Sequence, residues 1–126
     1  MPANMSAITE VLSGMGALLK IQGKHVESLV VLAKCLAISN EQFGENHYSS
    51  AHAACTMASV LLDQGKYAET LALFKPAQVT ITAALGETHA NAEWICRQMA
   101  RAYKAQGQYA KSLAQLARLL AVALEK

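Results

Sequence analysis

The sequence predicts an all-α fold of stacked helix pairs, and three observations predict it. Alanine, the best helix former and a poor strand former, supplies 24 of 126 residues, against 7 Gly and 2 Pro. Apolar residues recur at helical rather than alternating spacing, as in Ile8, Leu12, Met15 and Leu19. The chain also repeats itself: Gln22-Gly23, Gln64-Gly65 and Gln106-Gly107 stand 42 residues apart.

The register extends well beyond that dipeptide. Eight residues before each Gly is a Met (Met15, Met57, Met99), and seven before is a small residue (Gly16, Ala58, Ala100). Two after is a ring (His25, Tyr67, Tyr109), five after a small hydroxyl residue (Ser28, Thr70, Ser112), and nine after a large apolar residue (Leu32, Phe74, Leu116). A second marker, Phe43-Gly44-Glu45-Asn46-His47, returns as Leu85-Gly86-Glu87-Thr88-His89. Three units result, about 5–46, 47–88 and 89–126, within a single domain spanning 1–126.

Each unit predicts two helices. The first carries the apolar stripe, in unit three Trp94 (or Ile95), Met99, Ala102 and Tyr103, and stops at the shared Gly, which can take the left-handed conformation that closes a helix. The second follows a tight turn and runs to Gly44 or Gly86, after which Asn46 and Thr88 stand where an N-cap is wanted. Pro76 falls inside the second helix of unit two, where it removes a backbone donor; apolar periodicity continues through Val79, Ile81 and Leu85, so a kink is expected rather than an end. The six helices are antiparallel and roughly 15–19 residues long. None can bury its stripe alone, so the units must stack into a solenoid. Met15, Met57 and Met99 are expected in the core, and Cys35 and Cys96 as small apolar packing residues.

This arrangement of small residue, Leu or Tyr, Gly, Tyr, small residue, Leu and Phe or Leu resembles the tetratricopeptide repeat. The 42-residue period with Leu-Gly-Glu-x-His between units is similar to the longer, kinesin-light-chain type. The resemblance implies a right-handed superhelix of three helix-turn-helix units. It also implies a scaffold for protein binding, with first helices lining a concave groove. The family's groove positions lie thirteen, ten, six and three before the Gly. Here they are Glu10, Ser13, Ala17 and Lys20; His52, Cys55, Ser59 and Leu62; and Trp94, Arg97, Arg101 and Lys104. The Asn pair common in the kinesin-light-chain type is replaced by Ser13-Gly14, Cys55-Thr56 and Arg97-Gln98, and its role is not carried over.

The third set is the most informative. Trp94, Arg97, Arg101 and Lys104 share one helical face. An aromatic ring beside arginines is typical of binding hot spots, and guanidinium matches carboxylate geometry. Charge is concentrated here as well: residues 89–126 hold six basic and two acidic side chains (+4), whereas 1–46 and 47–88 each sum to −1. An acidic or C-terminal carboxylate peptide is the expected ligand. The resemblance to the carboxylate clamp of chaperone-binding tetratricopeptide domains is partial, since no Asn faces these cations from unit two. The alternative is a solvated basic face with Trp94 packed on unit two.

Other chemistry is disfavoured. The net charge of +2 and few aromatics do not suggest nucleic acid. His47 and His89 are repeat equivalents at the inter-unit turn and read as structural. His52 and Cys55 could suggest a nucleophilic dyad, but no third orienting group accompanies them. No enzyme activity, cofactor or metal is expected. The odd number of cysteines without a CxxC pair suits a reducing, cytoplasmic compartment. The start lacks a basic region like that of a signal peptide, and apolar runs such as 28–33 fall far short of the roughly 18–20 residues of a membrane span. One runner-up role is structural self-association. The last helix is apolar on more than one side, through Leu113, Leu116, Leu120 and Leu124, although no unit follows it. Such an end is covered by further repeats, pairs as a two-fold homodimer, or turns inward onto unit three.

Overall fold

The computed structural model describes residues 5–125. Among them the helices run in the order α1 (Met5–Ile21), α2 (His25–Phe43), α3 (Tyr48–Asp63), α4 (Tyr67–Leu85), α5 (Ala90–Ala105) and α6 (Tyr109–Glu125). Successive helices pack on one another along the chain, and α3 also touches α1 and α5. Among the described residues, the backbones of α2 and α4 do not approach within 8 Å, nor do those of α4 and α6, which meet through side chains. First helices therefore converge while second helices splay, which places α1, α3 and α5 on the inside of the curve. The fold is the expected solenoid of three helix-turn-helix units.

The turn inside each unit is fixed by backbone chemistry. Gly65 has φ of 76°, a left-handed value open to few residues besides glycine. That conformation lets Gly65 N–H donate to the Leu62 carbonyl (3.0 Å) and Lys66 N–H to the Leu61 carbonyl (2.9 Å). This is the Schellman pairing that satisfies the last carbonyls of a helix. The same two bonds recur around Gly23 and Gly107. Lys24 and Lys66, which close the first helices of their units, are also the N-caps of α2 and α4, so the turn contains no spare residue.

The inter-unit turn works differently. Gly44 (φ 90°, ψ 158°) and Gly86 (φ 88°, ψ 158°) lie in a region that only glycine enters at low cost. The chain then reverses into an N-cap, which is His47 or His89 and not Asn46 or Thr88 as the sequence suggested. Each imidazole Nδ1 accepts from the N–H two residues on, at 3.0 Å from Ser49 and 3.1 Å from Asn91. Asn46 and Thr88 stand one residue too early, because the turn begun at glycine uses both following residues to reverse direction. The Phe43 ring stacks on His47 at 4.6 Å and holds the first cap in place.

Packing is densest around unit two. Phe74 and Ile81 of α4 are buried among Ala51, Cys55 and Ala58 of α3 and Ile95, Met99 and Ala102 of α5. The small residues allow the backbones to approach. In units one and three the repeated hydroxyl ties the helix pair directly: Ser28 Oγ donates to the Gly16 carbonyl at 2.7 Å, and Ser112 Oγ to the Ala100 carbonyl at 2.8 Å. Thr70, the equivalent in unit two, bonds within its own helix to Lys66. A side chain at Gly16 would overlap Leu32, which explains glycine at that register. Gln78 joins three helices, its Nε2 lying 3.3 Å from Cys96 Sγ and 2.9 Å from Gln115 Oε1.

Two packing expectations change. Of the repeated methionines only Met99 is fully buried; Met57 is half-buried and Met15 exposed. Met15 faces the side on which, among the described residues, units two and three each pack against a preceding unit and unit one does not. In addition, α6 does not turn inward: Leu113, Leu116, Leu120 and Leu124 are exposed, while Ser112 and Val122 are buried. The helix α4 runs through Pro76, as the periodicity predicted.

Two stability predictions follow from this packing. Phe74→Ala should cost about 3–5 kcal/mol in denaturant unfolding, whereas Leu116→Ala, at the same repeat position but exposed, should cost less than about 1 kcal/mol. His89→Ala should lower stability by about 1 kcal/mol, and His89→Asn should retain most of it, since asparagine supplies the same acceptor.

Candidate peptide-binding groove

The concave face is divided into three clefts by side chains of α1, α3 and α5. The first, ≈ 290 Å³, lies between α1 and α3 and is lined by Thr9, Glu10, Ser13, Cys35, Tyr48 and His52 among others. The second, ≈ 490 Å³, lies between α3 and α5. Ile81 contributes to its apolar lining, with Trp94 and Ile95 on one side and His52, Cys55 and Thr56 on the other; Arg97 also borders it. The third, ≈ 650 Å³, opens at the glycine-turn end, where Arg101 and Lys104 share the lining with Asp63, His25, Tyr67 and Tyr109.

The four residues expected to form one recognition face are thus on one face of α5 but serve two clefts. Trp94 and Arg97 border the middle cleft, and Arg101 and Lys104 the open end. Trp94 combines both readings of its role. Its ring meets buried Phe74 edge-on, with centroids 5.7 Å apart at 72°, yet 37% of its surface stays accessible. The contact fixes the indole orientation while leaving part of the ring toward the cleft. Arg101 Nη1 donates to Gln98 Oε1 at 3.0 Å, which steadies the guanidinium along the helix.

The remaining predicted groove residues differ in availability. His52 stands at the rim, with the Tyr48 ring 6.1 Å away. Partial loss of water pushes its imidazole below the ordinary 6.5. Cys55 and Ser59 are buried, because α3 is flanked by α1 and α5 and has less open face than the outer first helices. Cys55 still borders the middle cleft; Ser59 lines none of the three. Lys20 is engaged by Asp63, Nζ to Oδ2 3.4 Å, in a partly exposed pair that crosses from α1 to α3. Asp63 escaped the sequence reading because it lies outside the family's groove offsets. Ile81 escaped it too, since it belongs to a second helix and reaches the groove between two first helices.

The geometry argues against a thiol nucleophile. Burial pushes the Cys55 thiol up to about 12 and the neighbouring imidazole down. A reactive thiolate–imidazolium pair needs the reverse of both shifts. Cys35, Cys55 and Cys96 are all free and buried. Among the described residues, no three His, Cys, Asp or Glu are grouped to hold a metal ion, and no helix is long and apolar enough to cross a membrane.

The comparisons with known proteins agree with this architecture. The tetratricopeptide repeat family model matches residues 7–69 and 49–125, and the chain belongs to that family. The structure superimposes on the nearly identical TPR-like repeats of a kinesin light chain from Podosopora anserina with a TM-score of 0.82 at 19% identity. A point variant of that protein gives the same values. BtubC (BKLC) from P. vanneervenii matches with a TM-score of 0.66 at 14% identity. These alignments cover 97% and 96% of this chain, but only 57% of the Podosopora protein and 65% of BtubC. No curated protein matches the chain. The fold is therefore that of kinesin-light-chain-type repeats, and the family's general role is as a protein-interaction scaffold rather than a catalyst.

The Cys55 thiol generates a pH prediction. Its pKa is 9.0 when unfolded and about 12 when folded, so the thiolate is disfavoured in the native state. The resulting contribution to stability is intact below pH 9 and is lost as pH rises toward 12. Urea unfolding across that window should show declining stability, and Cys55→Ala should flatten the decline.

Proposed function

We propose that the chain binds a peptide segment of a partner protein in its concave groove, and that the segment is acidic. The observation that supports this most strongly is the arrangement along α5. An oriented, partly accessible Trp94 lies over an apolar cleft beside Arg97, with Arg101 and Lys104 continuing along the same face. The ten residue steps of helix from Trp94 to Lys104 span about 15 Å. An extended peptide covers that distance in four to five residues at about 3.3 Å each. The preferred segment therefore places an apolar side chain against Trp94 and a carboxylate, from a side chain or a C-terminus, near Arg101 and Lys104. His52 forms the opposite rim. Asp63, held by Lys20, disfavours a carboxylate on its own side and so biases the anion toward α5. No cofactor is involved. The free, buried cysteines suit a reducing cytoplasm as the place of action.

The chain contains one tryptophan, so its own fluorescence reports on the cleft. Titration with short acidic peptides carrying one large apolar residue should change Trp94 emission, with binding that weakens as salt rises. Arg101→Glu should reduce affinity by roughly 30-fold, about 2 kcal/mol. Affinity unchanged by Arg101→Glu and by salt would remove the acidic-peptide reading.

A second reading is self-association through the C-terminal helix. It is supported by the exposure of Leu113, Leu116, Leu120 and Leu124 on one element, since solenoid ends ordinarily carry a polar cap.

A further inference from the structure

The groove differs in charge from one first helix to the next. Thirteen residues before Gly23, Gly65 and Gly107 stand Glu10, His52 and Trp94, one on each of α1, α3 and α5, so the three form a row across the concave face. Trp94 borders the middle cleft beside Arg97, His52 borders both the middle cleft and the first, and Glu10 borders the first. The row therefore passes from an aromatic, cation-flanked end on α5 to a carboxylate on α1.

The first cleft collects hydrogen-bond acceptors. Among its described lining residues Glu10 is the only formally charged one, and it enters neither of the described salt bridges. Burial holds the His52 imidazole below its usual range, so the ring is neutral near pH 7 and one nitrogen can accept. Ser39 lines the cleft at 1% accessibility, and its hydroxyl oxygen accepts no hydrogen bond. The Cys35 thiol donates instead to the Thr9 carbonyl, Sγ to O 3.4 Å. The Tyr48 hydroxyl accepts from Asn91 Nδ2 of α5 at 3.4 Å, which pins its ring at the cleft wall. An aromatic face attracts a cation. A carboxylate entering this cleft meets Glu10 with no lining cation to offset it, whereas a lysine ammonium brings three donors and no acceptor.

We propose that the first cleft is a lysine subsite, which takes the ammonium group of a lysine in the bound partner segment between Glu10, His52, Ser39 and the Tyr48 ring. The proposal rests on the groove reading and adds a charge polarity to the segment. The lysine lies on the opposite side of the apolar residue at Trp94 from the carboxylate near Arg101 and Lys104. Packed helices stand about 8–10 Å apart, so the two steps from α5 to α1 cover about 16–20 Å. An extended chain spans that distance in about five to six residues. A segment basic at one end and acidic at the other matches both ends of the groove, whereas a wholly acidic one sets its own charge against Glu10. An ion pair at a partly exposed site of this kind is worth about fivefold in affinity.

The test is titration of the full chain, read by Trp94 fluorescence, with matched peptides made in both chain directions. Each carries a large apolar residue and an acidic residue on one side of it. On the other side, about five to six residues away, stands lysine, Nε-acetyl-lysine or glutamate. The wild type should bind the lysine peptide about fivefold more tightly than the acetyl-lysine peptide, which has the same reach without the charge. Glu10→Gln should abolish that difference and leave the acetyl-lysine peptide unaffected, and Glu10→Lys should prefer the glutamate peptide. Glu10 is exposed, and circular dichroism checks that the variants keep their helicity. Equal affinity for the lysine and acetyl-lysine peptides in both directions, or a preference that survives Glu10→Gln, would overturn the subsite; weakening by Arg101→Glu in the same titrations would leave the groove reading standing. If none of the peptides binds, both fall.

Discussion

The structure depends on the burial of each second helix between two first helices. A helix pair of this composition has apolar residues on more faces than its own partner can cover. Among the described residues α2 packs on both α1 and α3, and α4 on both α3 and α5, and there the large residues of the repeat, Leu32 and Phe74, become fully buried, Phe74 together with Ile81. The small residues of the register serve this burial. Gly16 leaves room for Leu32, and Ala58 lies in the cluster around Phe74. Buried hydroxyl-to-carbonyl bonds from Ser28 and Ser112 tie α2 to α1 and α6 to α5. The glycine turns carry no side-chain packing of comparable extent; they set the length of chain between one burial event and the next.

The groove follows from the same packing. First helices touch because second helices fill the space behind them, and the second helices splay apart because nothing lies between them on the outside. Curvature brings Ile81 through to the concave side and seats Trp94 against Phe74, so the residue most central to the core also orients the aromatic ring of the candidate site. Binding in the groove and stability of unit two are coupled through that ring contact.

Much of the fold was legible in the sequence because a repeat exposes its own register. The closing glycines could be placed to the residue, since a left-handed φ is a backbone requirement that few side chains meet. The helix caps were placed one residue early, because the reversal after Gly44 and Gly86 consumes two residues and because histidine is a less familiar cap than the Asn46 and Thr88 beside it. Met15 was read as core from its equivalence to Met99. Equivalence in sequence gives equivalent burial only when both units have neighbours. The groove was legible in part: the face of α5 follows from helical spacing, but Ser59 is buried by flanking helices that no periodicity reveals. Asp63 and Ile81 enter the site through the superhelical arrangement and not through a motif.

Native-state hydrogen exchange on dilute protein tests most directly the claim that two-sided burial of unit two holds the array together. Amides of α3, α4 and α5 around Phe74 and Ile95 should exchange only through global opening. Those of α1 and α6 should exchange through smaller, local openings that leave the centre protected. Equal protection across all six helices, or greater protection in α6 than in α4, would contradict the account.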